Sequence, residues 1–198
     1  MRIFILRLKQ GVTTPDFSRS DPVNAGHLEI ACHCIMNSLW VGGSIRQDSI
    51  IHIVLEGPPT PPVVLTVQGK ELDSLHYAEV FLLKAIQESL KAVKKLKWLE
   101  VNQGPITCQK QSFEGLIKEY HANEASIYYL HPKGELLEEQ TIDLNQQIVC
   151  VLGDHKGMPN KSEKFLKSKA TRITLGSTML FASQCVTIVH NILDKKYY

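Results

Sequence analysis

The chain has 198 residues, of which 43% are hydrophobic and 21% are charged. This balance excludes intrinsic disorder, collagen and a coiled coil, and it predicts a globular protein with one domain over residues 1–198. No apolar run approaches the roughly 18 residues of a membrane-spanning helix. The N-terminus is charged too early for a signal peptide, and the five cysteines have no disulfide-framework spacing. We therefore expect a cytoplasmic protein.

Positive charge is concentrated towards the C-terminus. The chain has 22 Lys and Arg against 20 Asp and Glu, yet residues 151–198 carry 8 basic and only 3 acidic side chains. A basic segment is typical of a surface that binds a polyanion such as RNA. The solvated face of a helix would produce the same count, so charge alone does not decide between the two.

Strand-like and helix-like patterns alternate along the chain. Runs rich in Ile and Val predict strands at residues 2–8, 49–55, 63–67, 106–109, 126–130, 148–152 and 172–175. Apolar residues at helical spacing predict helices at residues 28–40, 77–96 and 179–193. Residues 113–121 are expected to form a short helix, and the lysine-rich residues 161–168 a short helix or a turn. Several strands are apolar throughout, as in a parallel sheet that is covered on both faces. The sequence thus predicts an α/β fold with a mostly parallel sheet and helices on both faces.

Three of these strands run directly into loops that contain a Gly or Pro turn. They end near Leu130, Gly153 and Leu175. Ligands of open parallel sheets bind beyond the carboxyl ends of the strands, and glycine lets a backbone approach a ligand closely. These loops are candidates for a ligand site, but ordinary strand-to-helix turns show the same pattern, and the pattern alone favours ordinary turns.

Other familiar signatures are absent from the sequence. It contains no GxGxxG after the first strand, no GxxxxGK[ST] and no GxSxG. Cys32 and Cys34 would point in different directions on a helix and lack a second ligand pair, so we expect no metal site. Cys185 and His190 leave a cysteine-dependent hydrolase as an alternative, but a cysteine on an apolar helix face is usually part of the core.

Five short segments together carry a resemblance to a known family. They are residues 45–48 (IRQD), 128–131 (YYLH), 152–155 (LGDH), 173–175 (ITL) and 185–194 (CVTIVHNILD). In their order and spacing they resemble the TrmY family of the SPOUT superfamily, the tRNA pseudouridine-54 N1-methyltransferases. The resemblance covers nearly the whole chain. Residues 176–184 differ from the archaeal members and look more like bacterial relatives, and a related family with the same fold methylates pseudouridine in ribosomal RNA.

The resemblance implies a SPOUT-type fold whose C-terminal part, about residues 126–198, forms a trefoil knot and binds S-adenosylmethionine. It also implies an RNA substrate, tRNA in the first place, and a homodimer. The positions that it marks as cofactor-binding are Leu130, Gly153, Leu175, Gly176, Ser177, Thr178, Met179, Leu180 and Cys185. Phe181, Val186 and Val189 on the last helix are candidates for the dimer interface.

Two residues are candidates for a part in the reaction. Methylation at N1 of pseudouridine requires that the N1 proton leave, to a carboxylate, a histidine or water. Asp154 and His155, just after Gly153, are the nearest ionisable candidates, and we take Asp154 as the candidate base. Its alternative role is to accept hydrogen bonds from loop N–H groups. Arg46 is suited to an RNA phosphate or base, and its alternative is an ion pair with Asp48.

The basic C-terminal segment supplies candidates for phosphate contacts. They are Lys161, Lys164, Lys167, Lys169 and Arg172. Two alternatives to a tRNA methyltransferase stay open at this point. One is a methyltransferase for another RNA, such as ribosomal RNA, and the other is a knotted RNA- or cofactor-binding protein without efficient catalysis.

Overall fold

The structure is a computed structural model that describes residues 1–72, 76–95 and 104–196. Its strands are β1 (Arg2–Leu8), β2 (Trp40–Val41), β3 (Ser44–Ile45), β4 (Ser49–Leu55), β5 (Val63–Gln68), β6 (Thr107–Gln109), β7 (Ser126–Leu136), β8 (Ile148–Gly153) and β9 (Thr171–Thr174). Its α-helices are α1 (Leu28–Leu39), α2 (Glu79–Lys95), α3 (Phe113–Ala122), α4 (Asn160–Leu166) and α5 (Ala182–Lys196).

Seven strands form one mixed sheet in the order β6-β5-β4-β1-β8-β7-β9. The five strands from β4 to β9 in this order are parallel to their neighbours. β5 is antiparallel to β4, and β6 is antiparallel to β5. The short connection between β4 and β5 explains this edge, because a parallel pair needs a crossover of a dozen or more residues. The predicted mostly parallel sheet is confirmed.

Helices cover both faces of the sheet, as predicted. Side chains of the central strand β1 alternate between two cores, because successive residues of a strand point to opposite faces. Phe4 and Leu6 pack in the core that contains residues of α1, α2 and α5. Ile3 and Ile5 pack in the core that contains residues of α3 and α4. All four side chains are at most 1% exposed, which explains why this strand is apolar at nearly every position.

The last helix begins later than its apolar spacing predicts. α5 starts at Ala182, whereas the pattern suggested residue 179. Met179 and Phe181 are 82% and 76% exposed, so they continue the helical spacing without joining the core. The predicted end of the α2 segment at Leu96 lies outside the described residues.

Strand β7 is longer than predicted because it contains an irregularity. Leu130 and Glu135 both pair with Ile173 of β9, and residues 131–134 protrude between them. A Cβ atom on Gly134 would lie 2.3 Å from the carbonyl carbon of Ile173, so only glycine lets the two strands approach here. The protruding residues lie beside the predicted ligand loops. The predicted trefoil knot stays a prediction.

Candidate functional site

The fold brings the three predicted ligand loops to one edge of the sheet. Two of them follow β8 and β9, and the third is the irregularity after Leu130 within β7; these three strands are parallel neighbours in the sheet. Tyr129 pairs with Val151 and Leu130 pairs with Ile173, so the strands end at nearly the same level. Because parallel strands share a direction, their carboxyl ends form a common rim for a ligand.

The loop after β9 leaves its backbone open to a ligand. Gly176 has a φ of 129°, a conformation that side chains rarely adopt, and Thr174 Oγ1 donates to the Gly176 carbonyl at 2.9 Å. Beyond it, residues 177–179 are exposed. Within the described part of the chain, residues 177–180 form no hydrogen bond. Their N–H and C=O groups can therefore bind the polar edge of a planar heterocycle.

Apolar side chains line the inner side of the same rim. Leu130, Leu175 and Cys185 are partly buried and pack against the main core. Burial also raises the pKa of the Cys185 thiol, so this cysteine is held as a neutral, apolar group. Apolar walls with a few polar backbone groups are typical of small-molecule sites. These residues fit an adenine nucleoside of the kind that the resemblance implies.

The cysteine-dependent hydrolase is not supported by the structure. His190 Nε2 donates to the Ser38 carbonyl at 3.0 Å, and its Nδ1 lies 3.1 Å from Arg2 Nη1, from which it accepts. Both ring nitrogens are thus engaged away from Cys185. Burial, together with Arg46 and Arg2, lowers the pKa of His190 to about 4, so no basic nitrogen activates the thiol.

Asp154 ties two loops together at this rim. It is 9% exposed, and its two carboxylate oxygens accept the N–H groups of Lys9 at 2.9 Å and Lys156 at 2.8 Å. The first bond joins the segment after β1 to the segment after β8, and the second closes the turn that Asp154 itself begins. These contacts favour the alternative in which Asp154 accepts hydrogen bonds from loop N–H groups. A role for Asp154 as the base stays a prediction.

Arg7 is a buried residue of this region that the sequence analysis missed. It is 8% exposed and lies at the carboxyl end of β1, paired with Gly153. Its Nε and Nη2 atoms lie 2.9 and 2.8 Å from the two carboxylate oxygens of Glu56, and its Nη1 lies 3.6 Å from Met158 Sδ. Arg7 therefore supports the loop after β8. A charged residue between the apolar Leu6 and Leu8 of β1 is the signal that could have revealed it.

Arg46 forms an ion pair with a residue that the sequence did not suggest. Its Nη1 and Nη2 atoms donate to Asp194 Oδ1 at 3.1 Å and Oδ2 at 2.7 Å. The predicted alternative partner, Asp48, instead lies 3.4 Å from Nε of Arg2. The pairing of Arg46 with Asp48 is therefore wrong. Asp48 is only two residues away in sequence, but α5 presents a carboxylate in the planar geometry that guanidinium prefers.

The two candidate catalytic residues lie at opposite ends of the sheet. Arg46 shares Asp194 with Arg2, at the start of β1, whereas Asp154 contacts Lys9, just after β1 ends. Arg2 and Arg7 are five positions apart along β1, which corresponds to roughly 17 Å at about 3.3 Å per residue. Within one chain the structure does not bring Arg46 to the rim that holds Asp154.

Arg46 lines a groove of its own between α1, the β2–β3 hairpin and α5. The groove has a volume of about 410 Å³. Its lining residues are Asn37, Trp40, Val41, Gly42, Arg46, Thr187, His190, Asn191 and Asp194. An aromatic ring, two amides and a guanidinium are groups that proteins use to contact nucleotides, so this groove is compatible with the RNA role predicted for Arg46.

The candidates for the dimer interface are mostly buried within the chain. Val186 and Val189 are fully buried in its core, so the prediction that they form an interface is wrong. Of the three candidates only Phe181 is exposed.

The basic residues predicted to contact phosphates differ in their exposure and partners. Lys161, Lys164 and Lys167 are exposed around α4. Arg172, by contrast, donates to Glu163 at 2.6 Å. Their predicted phosphate contacts stay a prediction.

The described residues show neither a metal-binding cluster nor a membrane-spanning helix. In residues 1–72, 76–95 and 104–196, no three His, Cys, Asp or Glu side chains are grouped so that they could hold a metal ion. No helix among these residues has the length and apolar character needed to cross a bilayer. All five cysteines are unpaired thiols, and four of them are buried.

A family profile described as "Putative SAM-dependent RNA methyltransferase" matches residues 1–198. The chain belongs to this family. It is similar to proteins from both archaea and bacteria. It is 34% identical to the tRNA (pseudouridine(54)-N(1))-methyltransferase of Methanocaldococcus jannaschii, over 99% of this chain and 98% of that protein. It is 36% identical to the "Putative pseudouridine methyltransferase" of Vibrio parahaemolyticus, over 98% of each chain.

A solved structure with the same fold supports the architecture of this SAM-dependent RNA methyltransferase family member. Archaeoglobus fulgidus Nep1, solved with bound S-adenosylhomocysteine, matches with a TM-score of 0.63 at 8% sequence identity. The match covers 100% of this chain and 98% of Nep1. At this identity the likeness shows the fold, and it confirms the predicted SPOUT-type arrangement of sheet and helices.

Proposed function

We propose that this protein transfers the methyl group of S-adenosylmethionine to N1 of pseudouridine at position 54 of tRNA. The observation that carries the proposal is the full-length match to relatives that are named for this activity. The family profile supports the same reaction class. The unpaired thiols fit a reducing compartment, and we place the protein in the cytoplasm.

The cofactor site in this proposal is the rim formed by the irregularity after Leu130 in β7 and by the loops after β8 and β9. Leu130, Leu175 and Cys185 supply apolar walls, and the open backbone of residues 176–180 supplies donors and acceptors. The turn at Gly153 is compact, because a Cβ atom there would lie 3.0 Å from the Gly157 carbonyl carbon. Bound S-adenosylmethionine supplies a methyl group on a positively charged sulfur, which needs no further activation. The predicted knot would hold these loops together.

The chain's own contribution is to hold the acceptor base in line and to allow its N1 proton to leave. Asp154 has one hydrogen bond on each carboxylate oxygen, which gives it a clear positioning role at the rim. We propose that it acts mainly through this positioning. A direct proton transfer to Asp154 would appear as a loss of turnover without a loss of cofactor affinity.

In a homodimer, Arg46 of one protomer can lie near the substrate that the other protomer binds. Arg46 lies at the far end of the sheet from the rim of its own chain, so only a second protomer could bring it near a bound nucleotide. Met179 and Phe181 are exposed in the single chain, as expected of apolar side chains that contact a partner protomer or a ligand beside the rim. We propose a dimer in which the rim of one protomer faces the Arg46 groove of the other.

Methyl transfer to defined RNAs tests the proposed function. Two otherwise identical tRNAs carry pseudouridine or uridine at position 54, and labelled S-adenosylmethionine reports transfer. We expect transfer to the pseudouridine form only, because N1 of uridine forms the glycosidic bond and has no proton to lose. Equal transfer to both tRNAs would contradict the proposal, as would transfer to pseudouridine in ribosomal RNA fragments alone.

A further inference from the structure

A second groove, separate from the rim and from the Arg46 groove, lies between α2 and the loop after β1. It has a volume of about 590 Å³. Its lining residues are Pro15, Asp16, Arg19, Lys84, Gln87, Glu88, Lys91 and Lys94. Half of these side chains are basic and only two are acidic, and none is aromatic. We call this the α2 groove.

The α2 groove is held in shape by specific contacts. Lys84, Gln87, Lys91 and Lys94 follow helical spacing and therefore share one side of α2. Gln87 Nε2 donates to the carbonyl oxygens of Pro15 at 2.8 Å and Phe17 at 3.0 Å. These two bonds fix the loop that carries Arg19 against the helix, so the basic side chains border one cavity.

The acidic residues leave a net positive charge in the α2 groove. Lys94 lies 3.7 Å from Asp16, and Lys84 lies 3.9 Å from Glu88, but these pairs are well exposed and therefore weak. Arg19 and Lys91 are exposed and form no ion pair within the described residues. Among the described lining residues no aromatic ring is present to stack on bases, whereas phosphate oxygens need only positive charge and N–H donors.

The α2 groove opens from the same end of the sheet as the rim. Its loop continues from Lys9, whose N–H donates to Asp154, and is anchored near the carboxyl end of β4 by the bond from Thr13 N–H to the Pro58 carbonyl. We infer that the α2 groove binds the sugar–phosphate backbone of the RNA substrate at a distance from the methylated nucleotide. The identity of that RNA rests on the proposed function.

A matched pair of double variants tests this inference. Arg19→Gln/Lys91→Gln removes two charges from the α2 groove. Lys70→Gln/Lys118→Gln removes two charges from exposed positions outside it. Binding of full-length pseudouridine-54 tRNA is measured over a series of salt concentrations. For the groove variant we expect affinity about tenfold weaker and a log K versus log salt slope smaller by roughly 1 to 2, since each phosphate contact contributes about 0.9.

Kinetics and a shortened substrate separate this inference from the proposed function. The groove variant should raise KM for full-length tRNA, with kcat and S-adenosylmethionine affinity unchanged. A minimal stem–loop around the target nucleotide should be methylated equally by both variants and the unmodified protein. Equal salt slopes for the two double variants would overturn the inference even if methylation proceeds. A smaller slope for the groove variant alone, in a protein that methylates no RNA, would uphold the groove and overturn the proposed function.

Discussion

Asp194 on α5 accepts hydrogen bonds from both terminal nitrogens of Arg46, a residue 148 positions earlier in the chain. The same carboxylate lies 2.5 Å from Nη1 of Arg2, whose side chain is only 5% exposed. Burial by itself would raise the pKa of Asp194, but the hydrogen bonds from Arg46 and Arg2 outweigh it and hold this pKa below its usual value. One carboxylate therefore compensates two guanidinium groups where β1, the β3–β4 connection and α5 meet.

Replacing this shared carboxylate should destabilise the protein. We expect Asp194→Asn to lower the free energy of unfolding by about 2 kcal/mol, because the buried Arg2 and the partly buried Arg46 both lose their ion pair with this carboxylate, while Asp194 itself is partly solvated. Urea denaturation at pH 7 measures the change. Asp48→Asn is the matched control, since Asp48 also contacts Arg2 but is 49% exposed, and it should cost about 0.5 kcal/mol or less. Equal losses would contradict the central role of Asp194.

Asp154 should affect cofactor binding as well as stability. Asp154→Ala leaves the N–H groups of Lys9 and Lys156 without their acceptor, so we expect a loss of about 1–2 kcal/mol in unfolding free energy. We also expect S-adenosylmethionine affinity about tenfold weaker by calorimetry, which corresponds to about 1.4 kcal/mol.

A second carboxylate provides the control for Asp154. Asp143 also accepts a backbone N–H, that of Asn145 at 2.9 Å, but in an exposed loop, so Asp143→Ala should leave cofactor affinity unchanged. If Asp154→Ala instead lowers kcat more than 100-fold at unchanged cofactor affinity, Asp154 is the proton acceptor and the positioning role is wrong.

Met179 tests whether the exposed loop after β9 contacts the cofactor. Its side chain is 82% exposed, so Met179→Ser should change the unfolding free energy by less than about 0.5 kcal/mol. Covering this side chain with a ligand would contribute about 1 kcal/mol or more, so cofactor affinity should fall at least about fivefold. Val23→Ser, at a position that is 51% exposed and outside the rim, should leave affinity unchanged. Identical affinities for the two variants would place the cofactor elsewhere.

Two buried histidines should make the protein less stable in mild acid. Burial lowers the pKa of His52 to about 4, and burial together with Arg46 and Arg2 lowers the pKa of His190 to about 4. Between pH 4 and the unfolded value of about 6.5, the unfolded chain binds more protons than the folded chain. Stability is therefore complete above pH 6.5 and falls as the pH drops towards 4, by up to roughly 3 kcal/mol for each histidine.

Urea denaturation at several pH values between 7 and 4.5 measures this effect. His190→Gln should reduce the pH dependence by about half, since glutamine cannot gain a proton in this range while His52 still can. His121→Gln, at an exposed position on α3, should keep the full dependence. A pH dependence that is the same in both variants would show that His190 is not held neutral in the folded protein.

Much of the fold follows from local patterns in the sequence. Among the described residues, the strands of the main sheet and four of the α-helices match predicted elements within a few residues, except that β7 continues through an irregularity and α5 starts late at Ala182. For residues 161–168 the sequence left a helix or a turn open, and the structure has the helix α4 there. Burial decides such boundaries. Met179 continues the helical spacing, but its side chain is 82% exposed and is not covered by the described part of the chain. The short β2–β3 hairpin was not predicted.

The sequence by itself determined the α/β class, the family and the three loops that form the rim, because apolar periodicity, glycine turns and ordered motifs are properties of neighbouring residues. The tertiary structure alone decided that Arg46 pairs with Asp194, that Asp154 binds the segment after β1, and that these two residues lie at opposite ends of the sheet. These ion pairs and hydrogen bonds join residues that are more than a hundred positions apart in the sequence. The packing of strands and helices determines which residues become partners, and a local sequence pattern contains no information about that packing.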